Sequence, residues 1–138
     1  MTKYNAKKIV VDGVIFDSKS EAEFYKLLKK AEKAGKVKDI ELQPVFVLQD
    51  KYKHNNKTVK AITYIADFKF YDVEKDKHIV VDVKGMATEV ANIKRKMFNY
   101  LYKDLELIWV VANKKYSDGV GYIEYDKLKK LRRANKNK

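Results

Sequence analysis

Tyr64 to Gly85, which reads YIADFKFYDVEKDKHIVVDVKG, is the stretch that decides the fold. Two apolar runs, 64–71 and 78–83, flank a short charged segment, and this pattern predicts a β-hairpin. The charged segment contains neither Asn-Gly nor Asp-Gly, the pairs that two-residue hairpin turns favour, so we expect a four-residue loop. Each run also contains an aspartate where a strand usually carries an apolar side chain.

The expected loop determines how Asp67 and Asp82 pair. A four-residue loop centred between Glu74 and Lys75 places the two aspartates directly opposite one another, with Cβ atoms ~4.5–5.5 Å apart. Like charges at that distance destabilise a hairpin. Side-chain alternation puts Lys84 on the same face as Asp82. On the first strand, one apolar face is expected to hold Tyr64, Ala66, Phe68 and Phe70.

A divalent cation between the two carboxylates would offset their repulsion. Mg²⁺ is commonly held by one or two carboxylates together with water and phosphate oxygens. The hairpin therefore predicts a Mg²⁺ site, which Mn²⁺ is also expected to fill. A cross-strand ion-pair network is the structural alternative, although two acids and one lysine balance poorly.

The composition favours a polyanionic partner. The chain has 31 Lys and Arg against 19 Asp and Glu, a net charge of +12, and such basic chains are typical of nucleic-acid binding. Solubility is the alternative reading of the same charge. The absence of cysteine excludes disulfides and thiolate metal sites. No apolar run approaches the ~20 residues of a membrane span, and the charged N-terminus is unlike a secretion signal, so we expect an intracellular, cytoplasmic protein.

The pattern along the chain predicts one domain over 1–133 and a disordered basic tail over 134–138. Periodicity, capping residues and breakers predict the order of elements. They are a hairpin over 7–16, a helix from Ser18 to about Ala34, a strand over 40–49 that contains Pro44, a polar loop over 50–60, the central hairpin, a helix from Thr88 to about Lys103, a strand over 105–112, a short strand over 122–125 and a basic helix over 127–133.

The second predicted helix connects two strands. Its apolar residues Val90, Ile93, Met97 and Leu101 recur at helical spacing. A strand, a helix of this length and another strand form a crossover, so the strand over 105–112 should run parallel to the strand that holds Asp82. The fold class is therefore α/β, with a mixed sheet flanked by helices.

Two aspartates, a lysine and a glutamate on the preceding helix carry a family resemblance. Asp67, the triplet Asp82-Val83-Lys84, and Glu21 together resemble the PD-(D/E)XK nuclease superfamily, which implies a restriction-endonuclease-like core of α-β-β-β-α-β order, here with an N-terminal β-hairpin and a C-terminal basic helix added. More narrowly, the segments 16–22, 64–68 and 81–85, followed by Thr88 and the basic run 94–96, look like small phage-encoded endonucleases that are often likened to Holliday junction resolvases. The resemblance covers roughly residues 4–112.

This resemblance implies a Mg²⁺-dependent endodeoxyribonuclease with four catalytic residues, Glu21, Asp67, Asp82 and Lys84. It also implies that Asp67, Asp82, the backbone carbonyl of Val83 and Glu21 hold the metal, and that no nucleotide cofactor is used. The implied substrate is branched or otherwise structured DNA from phage recombination or packaging. Junction resolution favours a symmetric homodimer, for which the N-terminal hairpin is a candidate surface. The alternatives are a non-catalytic DNA-binding module with this fold, and a nuclease subunit of transposon-end or restriction type.

Glu21 has two interpretations. Ser18 and Glu21 have the spacing of a capping box, in which the glutamate reaches back to the amide of the capping serine. Glu21 also begins a stripe with Phe24, Tyr25 and Leu28 that should face the core, and the resemblance makes it a metal ligand. Both roles stay open at this point.

Lysines near the predicted site are candidates for DNA contact, and solvent exposure is the alternative for each. The candidates are Lys94 and Lys96 on the second helix, Lys51, Lys53 and Lys57 in the polar loop, and Lys114 and Lys115 after the last core strand. Gln43, before Pro44, is either a polar site residue or an amide at a strand end.

Overall fold

The computed structural model describes residues 8–117 and 120–136, which form eleven strands and three helices. The elements are β1 (Ile9–Val11), β2 (Val14–Phe16), α1 (Lys19–Lys33), β3 (Val37–Leu42), β4 (Val45–Gln49), β5 (Tyr52–His54), β6 (Lys57–Val59), β7 (Ile62–Ile65), β8 (Phe68–Asp72), β9 (Lys77–Val83), α2 (Glu89–Leu101), β10 (Glu106–Ala112), β11 (Tyr122–Glu124) and α3 (Tyr125–Lys136). Residues 1–7, 118–119 and 137–138 lie outside the described ranges, so the predicted tail is described only over 134–136.

A five-stranded mixed sheet forms the centre of the molecule, in the order β11-β10-β9-β8-β3. β9 and β10 are parallel, while the other neighbours are antiparallel. The crossover through α2 therefore joins parallel strands, as the sequence predicts. A mixed sheet flanked by helices confirms the predicted α/β class at that level.

The central hairpin has the predicted register. β8 and β9 pair from Phe68 opposite Val81 to Asp72 opposite Lys77, which leaves residues 73–76 as a four-residue loop. Asp67 lies one residue before β8, and its backbone amide donates to the carbonyl of Val81 at 3.2 Å. The ladder therefore stops one step short of the position where Asp67 faces Asp82.

The strand predicted over 64–71 is interrupted at Ala66 and Asp67. β7 pairs with β4 in a separate two-stranded sheet, whereas β8 belongs to the main sheet. Tyr64 and Ala66 consequently pack in one core, and Phe68 and Phe70 pack in the other. The prediction that these four residues share one face is therefore wrong.

Pro44 explains the interruption because proline cannot donate to a strand ladder. The strand predicted over 40–49 is divided into β3 and β4 at Gln43 and Pro44, and Gln43 takes a left-handed conformation with φ of +49°. The two breaks face each other: Gln43 N donates to Asp67 O at 2.9 Å, and Ala66 N donates to Pro44 O at 3.2 Å. Both strands thus leave the main sheet at the same level.

The segment 50–60 is not the predicted loop. It contains the small hairpin β5–β6, whose turn is formed by Asn55 and Asn56 at φ of +50° and +63°. Asparagine tolerates positive φ, and two such residues suit the tight turns of hairpins. The N-terminal hairpin β1–β2 turns at Asp12 and Gly13, as predicted, over the residues of 7–16 that the structure describes.

Two apolar cores lie on opposite faces of the sheet. The core on the α1 side includes Tyr25, Leu28, Phe68, Phe70, Ile79 and Val81, and the core on the α2 side includes Phe46, Tyr64, Ala66, Val80 and Phe98. Alternate residues of β9 supply the two cores, so this strand is buried on both sides along most of its length.

The helices begin largely as predicted but differ at their ends. Ser18 caps α1 and Thr88 caps α2 through their side-chain oxygens. α2 ends at Leu101, and it buries Phe98, while Val90 and Ile93 of its apolar spacing remain 61% and 57% exposed. α3 starts at Tyr125 and extends to Lys136, so Asp126 lies within its first turn and residues 134–136 are helical rather than a disordered tail. None of the described helices is long and apolar enough to cross a membrane.

Candidate active site

The backbone on both sides of Asp82 fixes Asp67. The amide of Asp67 binds the carbonyl of Val81, and the amide of Val83 donates to Asp67 Oδ2 at 2.7 Å. Because these contacts span the residues before and after Asp82, the two aspartates are adjacent at the end of the β8–β9 ladder. The structure shows the amide of Val83 in contact with Asp67, whereas metal binding by its carbonyl stays a prediction.

Asp82 is held by two side-chain donors. Among the described residues it is the only charged residue that is buried, with 7% of its surface exposed. Tyr64 Oη donates to Asp82 Oδ2 at 2.6 Å, and Lys84 Nζ lies 3.1 Å from the same oxygen. Trp109 Nε1 in turn donates to Tyr64 Oη at 3.0 Å. A chain of hydrogen bonds from Trp109 thus fixes the orientation of the Asp82 carboxylate.

Lys84 is enclosed by aromatic and acidic groups. Its side chain is 16% exposed, and its ammonium lies 4.7 Å from the centre of the Trp109 ring, a cation–π distance. The Arg95 guanidinium lies 4.1 Å from the same ring and 3.1 Å from Asp126. Lys84 therefore has little freedom to move away from Asp82.

Tyr64, Trp109 and Arg95 did not emerge from the sequence as site residues. Tyr64 was expected to pack on the apolar face of the strand, and only the break at Ala66 turns its hydroxyl to Asp82. Trp109 did offer a signal, since it lies in a strand expected to be buried and a buried indole N–H usually finds a hydrogen-bond acceptor.

Glu21 is both a cap residue and a neighbour of Asp67. Its backbone amide donates to Ser18 Oγ at 3.1 Å, and Ser18 Oγ donates to Glu21 Oε2 at 3.2 Å. The carboxylate thus contacts the serine hydroxyl rather than making the serine amide contact that a capping box predicts. The helix start therefore directs this carboxylate toward the paired aspartates.

Asp67 has a strongly raised pKa because it is buried beside other carboxyl groups. Burial, followed by the neighbouring carboxyl groups of Glu21 and Asp82, raises the pKa of Asp67 to about 9, and the hydrogen bond from the Val83 amide acts in the opposite direction. Burial and the nearby Asp82 also raise the pKa of Tyr64, so its hydroxyl keeps its proton and donates. The three carboxyls form one interacting cluster.

The donor set consists of hard oxygens, which suit Mg²⁺. Within 8–117 and 120–136, no three Asp, Glu or His side chains are arranged to enclose a metal by themselves. Mg²⁺ does not need such an enclosure, because it typically keeps several waters and takes one or two carboxylates. Asp67 and Asp82 satisfy that requirement, with Glu21 as a neighbour of Asp67.

Two cavities border the paired aspartates. One, which we call the Lys84 cleft, has a volume of about 300 Å³ and is lined by residues that include Thr63, Asp82, Lys84, Thr88 and Lys94. The other, which we call the Asp67 pocket, has a volume of about 250 Å³ and is lined by residues that include Ile15, Phe16, Leu42, Gln43 and Asp67. Asp82 thus opens to one cavity and Asp67 to the other.

The predicted DNA-binding lysines are distributed over several surfaces. Lys94 lines the Lys84 cleft, whereas Lys96 borders a separate surface pocket with Met97 and Leu101. Lys114 lines a groove of about 530 Å³ against α1, together with Lys19, Lys26 and Lys30. The remaining candidates, Lys51, Lys53, Lys57 and Lys115, are exposed and line none of these cavities.

The amino-acid sequence of the chain matches one known protein family. A family model described as "Protein of unknown function (DUF1064)" matches residues 1–118. No curated protein matches the chain.

Proposed function

The chain belongs to the DUF1064 family, and from its site we propose that it is a Mg²⁺-dependent DNA endonuclease of the PD-(D/E)XK type. One observation carries the proposal: two adjacent carboxylates and a lysine converge at the end of the β8–β9 ladder, with Lys84 Nζ 3.1 Å from Asp82. A folded protein does not gain stability from crowded like charges, so the presence of these groups together in one site is best accounted for by chemistry.

The element order supports a restriction-endonuclease-like core. α1, β3, β8, β9, α2 and β10 occur along the chain in the α-β-β-β-α-β order of that core, with the strands β4–β7 inserted between β3 and β8. The candidate residues come from the parts of these elements that such an enzyme uses, with Glu21 on the first helix and the two aspartates on the central hairpin.

The cation would be held by Asp67 and Asp82, with the Val83 carbonyl and Glu21 as further oxygen donors. When bound, Mg²⁺ neutralises charge on the phosphate and acidifies a water molecule. The contacts of Tyr64 and Lys84 with Asp82 Oδ2, and of the Val83 amide with Asp67 Oδ2, keep both carboxylates oriented before any ligand arrives.

Lys84 would act on the phosphodiester itself. Its ammonium is close to Asp82 and lines the cleft that Lys94 also borders. In that position it can orient the attacking water and offset the charge that develops on the phosphoryl oxygens. Thr63 and Thr88, which line the same cleft, supply hydroxyl donors for the backbone of a bound strand.

The net charge of +12 supports DNA as the substrate. We propose branched or structured DNA, cleaved by a protein that acts as a homodimer in a phage-derived pathway. Lys94 is the candidate phosphate contact nearest to the site, and Lys51, Lys53, Lys57, Lys96, Lys114 and Lys115 are candidates for more distant contacts.

A nicking assay tests the activity. With Mg²⁺, wild-type protein should cleave DNA, while Asp82→Ala and Lys84→Ala should lose at least about 10²–10³-fold in rate and retain binding in a gel-shift assay. Lys77→Ala is the matched control, because Lys77 lies on the same strand and is half exposed. Equal rates for wild-type and Asp82→Ala protein would contradict the proposal. A four-way junction and a linear duplex, each with and without Mg²⁺, identify the preferred DNA.

A non-catalytic DNA-binding module is the second candidate, because the net charge of +12 supports DNA binding whether or not a metal is held. Calorimetry separates the two functions: the nuclease should bind Mg²⁺ or Mn²⁺ in the presence of uncleavable DNA, and the module should not.

A further inference from the structure

We propose that the Asp67 pocket binds one unstacked nucleobase beside the phosphate that the site cleaves. This inference rests on the proposed function and names its substrate class, which is DNA with an unpaired nucleotide at the site of cleavage. Four features of the pocket support it: its position, its charge, its apolar walls and the strained residue at its rim.

The position of the pocket makes it the continuation of the Lys84 cleft. Asp67 lines the pocket and Asp82 lines the cleft, and the hydrogen bond from the Val83 amide to Asp67 joins the two sides. A strand whose phosphate lies at the aspartates therefore has one neighbouring nucleotide at the cleft and another at the pocket.

The charges of the two cavities select different parts of a nucleotide. Lys84 and Lys94 line the cleft and attract phosphate. The pocket is lined instead by Asp17, Glu21 and Asp67, and none of the described residues that line it is Lys or Arg. The pocket therefore offers phosphate no basic side chain, so the neutral base is the part of a polyanionic strand that suits it.

The walls of the pocket suit a flat apolar surface. The exposed side chains of Ile15 and Leu42 contribute aliphatic groups, and the buried rings of Phe16 and Phe68 lie behind them. Ile15 is 61% exposed, although the neighbouring Val14 and Phe16 pack against the core. Stacking of a base on apolar and aromatic side chains contributes about 1–3 kcal/mol and tolerates any base.

Gln43 lines the pocket in a backbone conformation that residues other than glycine rarely adopt. Its φ of +49° is left-handed, and such strain in a residue other than glycine often occurs at functional sites. Its backbone amide binds the carbonyl of Asp67 at 2.9 Å, while its side chain is exposed. An amide can both donate to and accept from a base edge, and the nearby carboxylates favour bases that carry an amino group.

A base that is stacked in a linear duplex must first be extruded before it can enter such a pocket. Extruding a base costs a few kcal/mol, and this cost is least when the base is already unpaired. The pocket therefore favours flaps, gaps and junction centres over continuous duplex.

Fluorescence of 2-aminopurine tests base binding without requiring cleavage. This adenine analogue, which carries an amino group, is placed at successive positions of a single-stranded flap, and protein is added in EDTA. Wild-type protein should raise the fluorescence several-fold at one position, because the base leaves its stack. Ile15→Ala should lose most of that rise while total DNA affinity, measured by anisotropy, changes little.

Val10→Ala is the matched control. Val10 lies directly opposite Ile15 in the β1–β2 hairpin and is 64% exposed, but it does not line the pocket. This variant should behave as wild type. No rise with saturating wild-type protein, or an equal rise with Ile15→Ala, would overturn the inference. If the rise depends on Ile15 but the protein cuts no DNA with Mg²⁺, base binding stands and the proposed nuclease activity fails.

Discussion

At the scale of the residue, Tyr64 determines how much order the site has before it binds anything. Its hydroxyl donates to Asp82 and accepts from Trp109, and all three side chains are buried. A buried polar group that loses its partner costs about 1–3 kcal/mol. Tyr64 therefore links the stability of the α2-side core to the orientation of the Asp82 carboxylate.

Replacing Tyr64 by phenylalanine should lower the stability of the protein and loosen the orientation of the Asp82 carboxylate. We expect Tyr64→Phe to lower the free energy of unfolding by about 1–3 kcal/mol, because the Trp109 N–H is left without its acceptor, and to slow cleavage because Asp82 loses one donor. Urea denaturation and the nicking assay measure the two effects. Tyr71→Phe is the control, since that hydroxyl lies at the exposed end of the hairpin. Equal effects of the two substitutions would contradict the role of Tyr64.

Asp67 should destabilise the protein when no metal is bound. Its pKa rises from the ordinary value of 3.8 to about 9 in the folded protein, so the folded state holds a proton that the unfolded state releases. Stability should then fall as pH increases from about 4 to about 9. We expect Asp67→Asn in EDTA to remove this slope and to raise the unfolding midpoint at pH 7 by several degrees. A parallel pH dependence of the midpoint in both proteins would contradict the expectation.

Much of the site at this scale could be predicted from sequence. The pairing of Asp67 with Asp82 followed from the centre of the loop, and the position of Lys84 followed from side-chain alternation. Tyr64 could not be assigned, because the alternation of apolar residues continues unbroken through Ala66 and gives no sign that the chain changes sheets there. The backbone contacts of Gln43 and Pro44 with this segment, which are distant in sequence, impose the change.

At the scale of the element, the start of α1 combines a cap with a candidate ligand. Ser18 and Glu21 bind one another through both side chains and the Glu21 amide, and Glu21 also contributes to the raised pKa of Asp67. The sequence offered these two roles as alternatives. The structure shows that one helix terminus brings the carboxylate to both partners.

Two substitutions separate the roles of this terminus. Ser18→Ala should lower the free energy of unfolding by about 1 kcal/mol and leave most of the cleavage activity. Glu21→Gln keeps a hydrogen-bond acceptor for Ser18 and should change stability by less than about 0.5 kcal/mol, but it should reduce Mg²⁺ affinity and cleavage. The reverse pattern, with stability lost and metal affinity intact in Glu21→Gln, would make Glu21 a cap alone.

Capping residues and turns predicted most elements because their signals are local. Ser18, Thr88 and the Asp12-Gly13 pair each mark a boundary that the structure contains. The exposed apolar residues of α2 were not anticipated. Helical spacing identifies an apolar stripe but not its partner, and here Phe98 faces the sheet while Val90 and Ile93 face outward.

At the scale of the whole molecule, the excess positive charge should make the proposed binding to DNA salt-dependent. Each neutralised phosphate contributes about 0.9 to the slope of log affinity against log salt concentration. If about six phosphates are contacted, affinity should fall ~10³-fold between 50 and 200 mM salt. The slope thus counts the lysines that touch DNA, which the net charge alone cannot do.

The β5–β6 hairpin carries candidate DNA contacts that line neither the Lys84 cleft nor the Asp67 pocket. Lys53 and Lys57 are exposed on it, and the double substitution to alanine should reduce the salt slope by about 1.8 without changing the rate at saturating DNA. Lys33→Ala with Lys36→Ala removes the same charge at the opposite end of α1 from Glu21 and should reduce the slope little. Anisotropy titrations from 50 to 200 mM salt measure both. If DNA runs along a defined path from the β5–β6 hairpin to the aspartates, the two variants should differ in salt slope. Equal slopes would instead mean that the chain binds DNA through its overall charge.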